Sequence, residues 1–62
     1  MIDYKLIGDR IKTLRLKRGL TQDQLAEMVD ITTIYLSRIE NGHAKPTLDI
    51  YALLCDKLQC DL

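Results

Sequence analysis

The side chains best suited to directed chemistry in this chain lie between Thr33 and Asn41. Read as a helix at about 100° per residue, the stretch turns Leu36 and Ile39 to one side. Ile34, Ser37, Arg38 and Asn41 turn to the other, with Thr33 and Tyr35 on the flanks. An apolar side grips a domain, and a polar side of this kind suits a helix that reaches into a groove and meets base edges. Bond-breaking chemistry finds no comparable set. There is a single His, His43, and no Gly-rich phosphate loop or nucleophile motif. Cys55, Cys60 and the distant His43 are too few to hold a metal ion. Asp49, Asp56 and Asp61 read as solvated carboxylates on a helix surface. Neither catalysis, a cofactor nor a metal is expected.

Charge supports an anionic partner only through its distribution. Nine basic and nine acidic residues cancel over the chain. Yet residues 1–19 carry Lys5, Arg10, Lys12, Arg15, Lys17 and Arg18 against Asp3 and Asp9, while residues 20–62 carry three basic residues against seven acidic ones. The chain is thus polarised from +4 to −4, as a molecule turning one basic face to an anion would be.

The elements that position the 33–41 stretch follow from periodicity and punctuation. With 62 residues, 47% of them apolar, the chain has room for one small domain whose core is mostly Leu and Ile. Tyr4, Ile7, Ile11 and Leu14 recur at helical spacing, with Gly8 interrupting the pattern, Lys17 and Arg18 in the last turn, and Gly19 as the stop. Thr21 and Gln24 form a capping box opening a second helix, whose apolar side is read as Leu25, Ala26, Met28 and Val29. Thr32 caps a third helix over residues 33–41, ended by Asn41-Gly42. Thr47 caps a fourth, with Leu48, Tyr51, Leu54, Cys55 and Leu58 as its stripe. The expected fold is all-α, with no strand pattern anywhere. Cys55 and Cys60 both read as buried, reduced thiols. No apolar run approaches the roughly 18 residues of a membrane span, and no secretion signal is apparent, so the expected compartment is the cytoplasm.

Two short helices joined by a tight turn, about residues 21–41, make a helix-turn-helix. The particular residues carry a closer likeness. Leu20-Thr21-Gln22, Leu25-Ala26-Glu27, Leu36-Ser37-Arg38-Ile39-Glu40-Asn41-Gly42 and Lys45-Pro46-Thr47-Leu48 together resemble the phage repressor/Cro-like, or Xre, helix-turn-helix family from about Ile7 to Leu62. The resemblance implies a compact bundle of four to five helices of the lambda-repressor-like type. It also implies sequence-specific binding to double-stranded DNA, as a bacterial or phage-encoded transcriptional regulator, a repressor by expectation. Thr33, Ile34, Ser37 and Arg38 match positions that touch base edges. Arg38 can take guanine O6 and N7 together, for about 1–3 kcal/mol of discrimination, and Ile34 can lie against a thymine methyl. Gln22, Asn41 and Lys45 match positions that meet phosphates, with Tyr35 as a further phosphate candidate. Arg15 and Glu40 match an ion pair tying the first helix to the third.

Two departures stand out. Asp30 sits where the family usually has a Gly with positive φ, a conformation Asp tolerates better than most residues. The chain also ends where a fifth helix, often used in dimer contacts, would begin. The expected partner is an inverted-repeat operator bound by a homodimer. The alternative reading is an antitoxin or adaptor module whose main partner is another protein, which the neutral net charge and the apolar Ile34 favour.

Overall fold

The computed structural model describes residues 2–59. They form four helices, α1 (Tyr4–Lys17), α2 (Gln22–Met28), α3 (Thr33–Glu40) and α4 (Leu48–Leu58), with no strand among the described residues. Every helix begins on a side-chain cap. Asp3, Thr21, Thr32 and Thr47 each accept from the amide three residues on, and at α2 the Gln24 side chain returns the bond to the Thr21 amide. Each cap contributes about 1 kcal/mol. Asp3 is the one cap that periodicity did not reveal.

The helix ends are equally specified. Gly19 and Gly42 have φ of +71° and +77°. They close α1 and α3 with paired backbone bonds: Leu20 N donates to Arg15 O and Gly19 N to Leu16 O, while His43 N donates to Arg38 O and Gly42 N to Ile39 O. In the turn between α2 and α3, Asp30 takes φ +59°, the left-handed conformation anticipated for that position. There Ile31 N donates back to Ala26 O at 3.0 Å.

Ile11, Leu25, Ala26, Val29, Leu36, Ile39, Leu54 and Leu58 build the core. α1 lies across both α3 and α4, and α2 packs on α3. The close approach of α1 to the end of α3 depends on Gly8. A Cβ there would overlap the Ile39 carbonyl oxygen and lie 2.6 Å from that of Glu40. Gly8 therefore marks a helix crossing, not a weak point in the α1 pattern.

Two apolar assignments are corrected. Met28 is 43% exposed and Leu48 is 81% exposed. Leu25, Ala26 and Val29 already fill the inner side of the short α2, and Met28 projects about 100° from the centre of that stripe. Leu48 lines an open groove with Ile2, Tyr4, Ile7, Pro46 and Tyr51, so it has packing neighbours on one side only. Cys55 is buried, whereas Cys60 and Asp61 lie outside the described residues. No helix of the described residues is long and apolar enough to cross a membrane.

Candidate nucleic-acid interface

α3 is held to the domain by its inner side, where Leu36 and Ile39 are essentially inaccessible. Its outer side leaves Ile34 and Arg38 exposed, with Thr33 and Ser37 half-buried beside them and Asn41 exposed at the C-cap. The four residues expected to meet base edges therefore share one side of one helix. The Arg38 guanidinium makes a long contact, 3.5 Å, from Nη2 to the His43 carbonyl. Its other donors have no partner among the described residues, so most of the fork remains available. Asn41 Nδ2 donates to Ser37 Oγ, also at 3.5 Å, which leaves the Ser37 hydroxyl proton free to donate outward.

Behind this face sits a buried polar cluster. Arg15 Nε donates to Glu40 Oε2 at 2.8 Å and Nη2 to Oε1 at 3.2 Å, while Nη1 donates to the Leu20 carbonyl at 2.8 Å. The pair is nearly sealed from water, with Arg15 6% and Glu40 1% exposed. Gln22 Nε2 adds a fourth bond, donating to Glu40 Oε1 at 3.1 Å. α1, the start of α2 and the end of α3 are thus fixed to one carboxylate. Every buried side-chain nitrogen and oxygen among the described residues has a partner. Gln22 keeps its second amide proton and its carbonyl oxygen for other partners.

The model of the helix-turn-helix family matches residues 11–62. This chain belongs to the phage repressor/Cro-like helix-turn-helix family. It is 38% identical over 50 residues to the HTH-type transcriptional regulator PrpR of Mycobacterium tuberculosis, covering 81% of this chain and 10% of that protein. It is 38% identical over 52 residues to the antitoxin PezA of Streptococcus pneumoniae, covering 84% of this chain and 33% of PezA. The immunity repressor protein of Bacillus phage phi105 is 45% identical over 42 residues, 68% of this chain and 29% of that repressor. The chain thus spans between a tenth and a third of the length of these three relatives.

In this helix-turn-helix chain, three further expected contact residues also have partners within the protein. The Tyr35 hydroxyl donates to the Lys45 carbonyl at 3.2 Å, pinning the loop after α3 against the helix. Lys45 Nζ in turn sits 5.5 Å from the centre of the Tyr4 ring, a cation–π distance. The Thr33 hydroxyl donates to Asp23 Oδ1 at 2.6 Å, across from α3 to the first turn of α2. Sequence reasoning missed Asp23 in this role, because a side-chain bond across ten residues leaves no periodic trace. It also missed the Arg18 guanidinium, whose Nε donates to the Leu58 carbonyl at 3.1 Å and closes the end of α4. Gly8 read only as an interruption of the α1 pattern, because a Gly inside a helix is a cost to that helix until a neighbouring backbone is known to need the space.

Proposed function

We propose that residues 1–62 form one reading domain that binds double-stranded DNA sequence-specifically and acts as a transcriptional regulator, as a repressor by occupying its operator. The observation that carries this reading is the outer side of α3, where Arg38, Ser37, Thr33 and Ile34 stand together on a helix clamped from behind by the Arg15–Glu40 pair. In this motif the second helix enters the major groove and the first crosses the backbone. Arg38 offers its fork to guanine, Ser37 and Thr33 single hydrogen bonds, and Ile34 an apolar contact to a thymine methyl. Gln22, Asn41 and Lys45 serve the phosphates and set the register, and Tyr35 joins them on exchanging the Lys45 carbonyl for a phosphate oxygen. A homodimer would present two such helices to half-sites about 34 Å apart, giving a palindromic operator. The names of two of the relatives, a transcriptional regulator and a phage immunity repressor, support the regulatory role. A bacterial or phage-encoded protein working in the cytoplasm, without metal or cofactor, fits this reading.

Titrating a fluorescent duplex at several salt concentrations tests the claim. Cationic side chains on this face, Lys45 and Arg38 first, give an affinity that falls log-linearly with salt, by about 0.9 log units per phosphate neutralised. A flat response would remove DNA as the partner. A second reading, an antitoxin or adaptor module that binds a protein, is favoured by Ile34, 76% exposed at the centre of the same face, and by the likeness to an antitoxin. On that reading, Ile34→Asp would abolish binding to the protein partner, and duplex binding would be insensitive to Arg38→Ala.

A further inference from the structure

We infer that Asp23 sets the base preference of this surface without touching a base, by fixing which way the Thr33 hydroxyl can hydrogen-bond. The inference rests on the DNA-reading function proposed above. Thr33 opens α3, the end that points most deeply into a major groove in this motif. A hydroxyl has one proton and two lone pairs, and its proton ordinarily rotates to suit whichever partner is present. Here the rotation is decided. Thr33 Oγ1 lies 2.6 Å from Asp23 Oδ1, a short, charge-assisted contact, and an ionised carboxylate can only accept. The proton therefore stays on the line between the two side chains, and what Thr33 shows outward is a lone pair.

An acceptor-only oxygen discriminates among base edges. In the major groove, adenine N6 and cytosine N4 carry donors, whereas guanine O6 and thymine O4 are acceptors. Thr33 fixed by Asp23 selects the amine-bearing bases and opposes the keto bases with lone pair against lone pair. Without the carboxylate the same hydroxyl would turn its proton to a keto oxygen as readily as it accepts from an amine, and the position would lose its preference. Asp23 is exposed at the start of α2 and is a positioning residue. Its role lies in the hydrogen it holds, and its negative charge beside the phosphates weakens binding to all sequences alike.

The test is a competition panel on the site that the wild-type protein selects, with each position changed to all four bases. Wild type, Asp23→Ala, Asp23→Glu, Thr33→Val and the Asp23→Ala/Thr33→Val double variant are compared, with urea denaturation to normalise for folded fraction. The wild type should prefer adenine or cytosine over guanine and thymine at one position by roughly fivefold, the worth of one neutral hydrogen bond. Asp23→Ala should erase that preference while leaving the ratios at all other positions intact. Thr33→Val should erase the same one, and the double variant should lose nothing more. Asp23→Glu, which keeps a carboxylate acceptor, should retain part of it. An Asp23→Ala protein whose preferences are unchanged, or are reduced equally at every position, would overturn the inference while leaving the DNA-reading function standing. A wild-type protein that selects no site at all would overturn both.

Discussion

Replacing Arg15 by Ala would remove a cation that is 6% exposed and abandon a carboxylate that is 1% exposed. Of the bonds that now satisfy Glu40, those from Arg15 Nε and Nη2 would vanish and only the one from Gln22 would remain. The Leu20 carbonyl would lose its partner as well. Breaking a buried, hydrogen-bonded pair from one side costs about 3–5 kcal/mol, because the surviving charge stays desolvated. A domain of this length has a total stability on the order of 3–9 kcal/mol. The substitution should therefore consume about a third or more of what holds the fold, and lower the melting temperature by more than roughly 10 °C. Urea denaturation followed by circular dichroism at 222 nm (the standard helix band) measures it. The companion variant, Arg15→Met with Glu40→Leu, removes both charges and should recover most of the loss, since an apolar pair of similar volume needs no desolvation. An Arg15→Ala loss under about 1 kcal/mol, the range of an exposed pair, would show that the pair is not sealed from water. So would a double variant no more stable than the single one.

Four further outcomes are expected. Gly8→Ala, which drives a Cβ into the carbonyls of Ile39 and Glu40, should destabilise by about 1–3 kcal/mol in the same denaturation assay. Asp30→Gly should raise the unfolding free energy by a few tenths to about 1 kcal/mol by relieving a non-Gly left-handed residue, while Asp30→Val should lower it. Arg38→Ala should weaken the selected duplex by roughly fivefold to a hundredfold and relax preference at one position. Gln22→Ala should weaken all duplexes alike and leave the salt slope unchanged, since an amide neutralises no phosphate, with a small loss of stability from the missing Glu40 contact; duplex affinities of both variants are read by anisotropy titration.

Local chemistry was the legible part of this molecule. Thr21, Thr32 and Thr47 act on amides three residues away, and Gly19, Gly42 and Asp30 answer the backbone's need for positive φ, so each announces itself within a few positions. The outer side of α3 was legible for the same reason, since Leu36 and Ile39 fix its rotation. Contacts between elements were harder to see. Gly8 read as a blemish until the end of α3 was placed against it. Leu48 and Met28 have apolar side chains at helical spacing, yet whether a neighbour covers them depends on where α1 and α2 end. The pairing of Thr33 with Asp23 and of Tyr35 with the Lys45 carbonyl follows from how α2, α3 and the next loop meet, which no periodicity encodes. The Arg15–Glu40 pair, separated by 25 residues, was reached through family resemblance alone.

Whether the outer side of α3 reads DNA sequence is decided by a binding selection. Purified protein is incubated with a pool of randomised duplexes, and the retained fraction is sequenced with Arg38→Ala in parallel. A short motif should be enriched, as an inverted repeat with half-sites about one helical turn apart, and the variant should lose preference at one position per half-site. A folded wild-type protein that retains all duplexes equally, or an Arg38→Ala protein that selects the identical motif, would contradict DNA reading by α3.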